Sequence, residues 1–135
     1  MKRVLVGYDG SKPARRALQR GCRLLDSDGE LFVINVIHEL PAGVRPGHQT
    51  EPLQREEQGR LLNEATALVG GQGQQARTIA ASGDPGRAIA EHAEAVNANL
   101  VVVGTRGLGL ARRLVLGSVS DAVVRHAGCD VLLVR

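Results

Sequence analysis

The sequence predicts an α/β fold: a doubly wound, five-stranded parallel sheet with helices on both faces. Three features carry that expectation. Val4–Val6 and Leu100–Val103 are short, wholly apolar runs, which suit strands buried on both faces better than strands with one wet side. Between such runs lie segments whose apolar residues recur at helical spacing, so strand and helix alternate along the chain. After Leu100–Val103 come Gly104, Gly107, Gly109 and Gly117, and then an apolar-periodic segment opening at Ser118. A strand, a glycine-marked loop and a helix in that order offer backbone N–H groups and a helix dipole to an anion.

The elements follow in order. Arg3–Gly7 is the first strand. Tyr8–Asp9–Gly10–Ser11 is a turn, with Ser11 placed to cap a helix and Pro13 near its first turn. Ala14, Leu18, Gly21 or Cys22, and Leu25 mark that helix's inner side, and Asp28–Gly29 closes it. Glu30–Val36 is the second strand. His38–Pro52 holds Pro41, Pro46, Pro52, Gly43 and Gly47 and resists regular structure; it is either a lid over a site or a variable excursion. A helix is expected from Leu53 to Val69, with Leu61, Leu62, Ala65, Leu68 and Val69 facing inward and Gly70, Gly71 and Gly73 ending it. Arg77–Ala81 is a weaker strand suited to a sheet edge. Ser82–Gly86 turns into a helix carrying Ile89, Ala90, Ala93 and Val96, and the Leu100 strand, a helix Ser118–Ala127 and a last strand Val131–Val134 complete the chain. Right-handed crossovers put these helices on both faces of the sheet.

The 135 residues suit one domain, residues 1–135, and 43% apolar with 23% charged residues is a soluble globular balance. Tyr8 and Phe32 are the only aromatic residues, which argues against a base-stacking nucleic-acid platform. The net charge of +3 is modest, and its basic pairs, Lys2–Arg3, Arg15–Arg16 and Arg112–Arg113, are scattered, as on solvated faces; only the last falls in the glycine-rich loop. Cys22 and Cys129 lack metal or redox spacing and read as small core hydrophobes. His38, His48, His92 and His126 have no mutual ligand spacing, so no metal is expected. The opening MKRVLVGYDG is too short in apolar residues for a signal peptide or a membrane span, and a cytoplasmic location follows.

The candidate site is Gly104, Gly107 and Gly117–Ser118, spaced as glycine, two residues, glycine, nine residues, glycine-serine. Glycines after a strand can also serve only to turn the chain. Asp9 ends the first strand as Gly104 ends the fourth, and both would flank the crevice of a doubly wound sheet. There Asp9 is placed to accept from ribose hydroxyls, or else only caps the turn before Ser11. No Walker A Gly-Lys-Ser/Thr occurs, and GYDGSK stands where a dinucleotide fingerprint would be.

VLVGYDGS, GDPGRAI, VVVGTRG, LGSVSDAVVRHAGCDVLLVR and the complete glycine pattern span essentially the whole chain, which resembles the universal stress protein family in its ATP-binding branch. That resemblance implies an adenine nucleotide alpha hydrolase-like sheet in order 3-2-1-4-5, homodimerisation through the last strand, and ATP, with or without magnesium, between the ends of strands one and four. It implies that Asp9 meets the ribose and the Val36 backbone reads the adenine edge. Gly104, Arg106 and Gly107 begin the phosphate loop, and Gly117, Ser118, Val119 and Ser120 hold the phosphates. Asp130 stands where many members have proline before the last strand, a departure that bears on edge pairing.

The function so implied is a nucleotide-dependent regulatory role in the stress response, with slow ATP hydrolysis left open. A phosphohydrolase needs a positioned base and carboxylates for magnesium, and Asp9 is the one obvious acid at the site. A nucleotide-independent protein-interaction domain is the alternative, separated by whether the protein binds ATP. An adenylyl-transferring enzyme is the more distant one and would release pyrophosphate.

Overall fold

The first strand, β1 (Arg3–Gly7), has Val4, Leu5 and Val6 all fully buried, as a strand covered on both faces must be. This computed structural model describes residues 1–39, 51–105 and 117–135. Beyond β1 the order is α1 (Lys12–Leu24), β2 (Glu30–His38), α2 (Glu51–Gly70), β3 (Ala76–Gly83), α3 (Pro85–Ala95), β4 (Leu100–Gly104), α4 (Ser118–His126) and β5 (Asp130–Val134). The strands form one parallel sheet in the order β3-β2-β1-β4-β5, as expected.

Side chains alternate across the sheet with the strand period of two. Val4, Val6, Leu31, Val33, Leu100 and Val102 point to one face, where they meet Ala14, Leu18 and Cys22 of α1 and Leu62, Ala65 and Val69 of α2. Leu5, Phe32, Ile34, Val101 and Val103 point to the other, against Ile89 and Ala93 of α3 and Val123 of α4. The two layers follow from handedness. From β1 the chain winds outward through β2 to β3, then returns to β4 and winds the other way, so right-handed crossovers must use opposite faces.

Local signals set the start of α1 as expected: Ser11 Oγ accepts from the Ala14 N–H at 3.2 Å, and Pro13 lies in the first turn. Other boundaries differ from the sequence expectation. β2 runs two residues past Val36, and β3 extends to Gly83, because Ile37 pairs with Ser82 and His38 with Gly83. In α2 the inward line is Gln58, Leu62, Ala65 and Val69. Leu68, expected inside, is 43% exposed, lying about 90° around the helix from that line. Cys22 is buried under α1 and Cys129 packs on the opposite face of the sheet, so both act as core residues; burial raises both thiol pKa values. Among the described residues no helix is long and apolar enough to cross a membrane.

Candidate functional site

β1 and β4 are neighbours whose chains depart to opposite faces, and the carboxyl ends of such strands leave a crevice. Here it is a cavity of about 480 Å³. Its walls include Asp9, Val36, Gly104, Gly117, Ser118, Val119 and Ser120, so seven positions singled out in the sequence converge there. Arg106 and Gly107 lie outside the described residues, as do Gly109, Arg112, Arg113 and most of the segment between His38 and Pro52.

Each wall has its own local cause. Asp9 is exposed, and its Oδ1 accepts from the Ser11 N–H at 2.9 Å. This Asx turn aims the carboxylate, and among the described residues its second oxygen has no partner. Gly10, at φ +83°, takes the left-handed conformation that the turn requires. Gly104 is needed for a close approach: a Cβ there would stand 2.7 Å from the backbone carbonyl carbon of Pro13 and 2.8 Å from the Ala14 nitrogen. It lets the first turn of α1 sit on the end of β4.

Across the cavity, Gly117 is the N-cap of α4 with extended backbone, φ −63° and ψ 161°, and supplies no capping side chain. The first intrahelical bond runs from the Asp121 N–H to the Gly117 carbonyl at 2.9 Å. The N–H groups of Ser118, Val119 and Ser120 therefore precede the helical ladder, at the positive end of the dipole. Asp121 turns to Arg125 Nε at 3.0 Å instead of capping them. Ser118 is exposed, whereas Ser120 is buried and gives its hydroxyl proton to the Gly117 carbonyl at 3.1 Å. Ser118 can thus donate from both backbone and hydroxyl, while the Ser120 hydroxyl is already committed.

Three further residues of the wall, Asn35, Asp84 and Thr105, are not among the candidate site residues read from the sequence. Asn35 Nδ2 donates to the Tyr8 carbonyl at 2.8 Å, bracing the residue before Asp9. Behind it, Gln58 Nε2 reaches the carbonyls of Asn35 at 2.8 Å and Ala81 at 2.9 Å. Asp84 is the N-cap of α3, yet its carboxylate makes no capping bond and faces the same cavity. Thr105, 6% exposed, has a buried hydroxyl with no partner among the described residues. Only the hydrogen-bonding demand of a buried amide could have pointed to Gln58; Asp84 and Thr105 fall within GDPGRAI and VVVGTRG, motifs that mark the turn and the strand end without assigning these side chains to a site.

Tyr8 ties this corner to both helices above it. Its hydroxyl donates to Glu64 of α2, which also receives Arg15 of α1 at 3.3 Å. Burial, and then the bond to the Glu64 carboxylate, raise the Tyr8 pKa. The Tyr8 bond is the largest cause holding the Glu64 carboxyl below its usual range, ahead of Arg15.

Among the described residues no three His, Cys, Asp or Glu side chains converge as a metal cluster. Asp9 and Asp84 are two separate carboxylates in the cavity wall. Magnesium asks for less than a cluster, one or two carboxylates completed by phosphate oxygens and water, and Asp9 and Asp84 are the carboxylates this wall offers.

A model of the universal stress protein family matches residues 1–135. A universal stress protein of Thermus aquaticus is 37% identical over 99% of this chain and 98% of its own length. Universal stress protein YxiE of Bacillus subtilis is 32% identical over 98% of each. A universal stress protein solved in complex with cAMP has a TM-score of 0.75 at 28% identity, covering 99% of this chain and 97% of its own.

Proposed function

The chain belongs to the universal stress protein family, and from that premise we propose that it is an ATP-binding stress-response protein. In this reading it is a single domain, cytoplasmic and homodimeric, whose bound nucleotide sets its conformation or its affinity for a partner. The observation that carries the reading is the cavity at the β1–β4 switch point, with the uncapped N-terminus of α4 on one side and the oriented Asp9 carboxylate on the other. An anionic phosphate suits the first and a ribose hydroxyl the second. The relative bound to cAMP, at 28% identity, supports the adenine nucleotide class.

In that assignment Asp9 accepts from the ribose, the Val36 backbone meets the adenine edge, and Gly104, Arg106 and Gly107 with Gly117, Ser118, Val119 and Ser120 surround the phosphates. Magnesium, when bound, neutralises phosphate charge, and Asp9 or Asp84 would hold it. The nucleotide is a ligand rather than a substrate in this proposal, and phosphate release from ATP would mark slow hydrolysis instead. The outer edge of β5 is the homodimer contact. Neither nucleic acid nor a membrane is a partner.

One observation favours the reading in which the protein is an interaction domain without nucleotide. Gly104 has a sufficient structural reason in its contact with α1, so at least that glycine needs no phosphate to explain it.

Calorimetric titration of wild type, D9A, G117V and S118A with ATP, cAMP and adenosine separates the two. S118A should lose about ten- to a hundred-fold in ATP affinity, the worth of a hydrogen bond to a charged group. G117V should hurt ATP at least as much and spare adenosine, which has no phosphate. D9A should weaken all three ligands by less. Absence of ATP binding at up to low millimolar concentration, or full ATP binding by a folded G117V, leaves the interaction-domain reading in its place.

A further inference from the structure

A second cavity, of about 290 Å³, lies where α1 flanks the end of β5, and Arg16, Arg20, Arg23 and Arg135 line it. We propose that it binds a phosphate-class polyanion: a free oligophosphate, or the phosphate tail of a nucleotide. The proposal stands independently of the function assigned to the crevice.

What singles out these arginines is their lack of carboxylate partners. Among the described residues Arg3, Arg15, Arg55, Arg60, Arg77 and Arg125 each make an ion pair. Arg16, Arg20, Arg23, Arg87 and Arg135 make none, and all of these but Arg87 line this one cavity. Gathering like charges without counter-charges raises the local potential and invites an anion. The helix dipole explains a cation in the last turn of α1, which is Arg23; it does not explain Arg16 or Arg20. The one polar contact within the cluster is Arg16 Nη1 donating to the Arg135 carbonyl oxygen at 3.2 Å. Even with a negative charge set against the cluster at that oxygen, three guanidinium charges remain.

The side-chain type and spacing select the ligand. A guanidinium presents a planar fork that meets phosphate oxygens in pairs. Arg16, Arg20 and Arg23 fall on one side of α1 at steps of four and three residues, spread along roughly 10 Å of helix axis. That suits several linked phosphoryl groups better than one small anion. The volume is just under the usual range of roughly 300–1,000 Å³ for small-molecule sites, which suits a compact chain of charge. Tyr8 and Phe32, the chain's aromatic residues, are 2% and 8% exposed and offer no face for nucleobases, which disfavours a nucleic-acid strand.

The test is calorimetric titration with sodium tripolyphosphate at low salt. Wild type should bind it, with affinity falling as salt rises. R16Q/R20Q/R23Q should weaken binding by about tenfold or more, with unchanged circular dichroism because all three side chains are exposed. R87Q, which removes an unpaired arginine outside the cavity, should bind as wild type does; with the crevice blocked by G117V, tripolyphosphate should still bind, and adding R16Q/R20Q/R23Q to G117V should lower that binding by about tenfold or more. In G117V, displacement of tripolyphosphate by ATP assigns the site to nucleotide tails, and no displacement assigns it to free oligophosphate; the site stands in either case. It is overturned by no binding of millimolar tripolyphosphate in G117V, by equal binding in G117V and G117V/R16Q/R20Q/R23Q, or by tetraglutamate binding as tightly as tripolyphosphate.

Discussion

Alanine should act in opposite directions at two helical glycines, Gly59 and Gly86. Neither has a left-handed φ, so backbone strain plays no part at either position. At Gly59, on the exposed side of α2, an added Cβ meets nothing within 4 Å. G59A should stabilise the fold by about 0.5–1 kcal/mol, the helix-propensity gain alone. At Gly86, in the first turn of α3, the same Cβ would stand 2.3 Å from the Ala122 Cβ and 3.0 Å from the Val119 carbonyl oxygen. There α3 and α4 touch through bare backbone, and forcing them apart costs roughly 1–3 kcal/mol. After a propensity gain of at most about 1 kcal/mol, G86A should destabilise by about 1–2 kcal/mol. A122G alone should cost about 1 kcal/mol, but in G86A/A122G the nearer obstacle is gone, so the pair should couple favourably by about 2 kcal/mol. Urea unfolding, read as a shift in midpoint at constant slope, measures all four variants. Because Val119 forms part of the crevice wall, G86A should also weaken nucleotide binding where G59A does not. A G86A protein as stable as G59A, or a merely additive double variant, would refute this packing account.

Q58L should cost about 1–3 kcal/mol in urea unfolding, since it leaves two carbonyl acceptors without their donor. In Q58E the folded state favours the neutral acid, raising its pKa, so the variant should be most stable below about pH 4.3 and lose stability as pH rises; a flat pH profile would contradict this. Glu64 behaves in the opposite sense. Its depressed pKa contributes stability above its unfolded value near 4.3 that is lost as pH falls through the folded value. Y8F should therefore reduce stability at neutral pH and flatten the acid limb, read by thermal melts between pH 3 and 7. For β5, light scattering of dilute protein should give twice the chain mass, and L132K should give monomer; a wild-type monomer would remove the edge-pairing proposal.

Much of the fold was legible locally. Val4–Val6 and Leu100–Val103 suit strands buried on both faces, because every residue of each run is apolar and alternation leaves none for water. Ser11 and Pro13 announced α1 through capping chemistry that needs no distant partner. Asp9 follows the end of β1 and Gly104 ends β4, two strand ends that a doubly wound sheet brings together, and Gly117–Ser118 opens α4 beside them. Other features depended on partners far along the chain. The last residues of β2 and β3 are strand only because each supplies the other's ladder. Gln58 is buried, against its polarity, because strand-end carbonyls need its amide, and Leu68 is exposed because that line of burial runs elsewhere around α2. Likewise, Asp84 joins the crevice, Gly86 comes up against Ala122 and Arg16 meets Arg135 only once the crossovers have chosen their faces. Periodicity and capping are short-range and are written in the sequence itself; which strand ends, helix faces and charges come together is set by chain topology, and that is settled only when the sheet has formed.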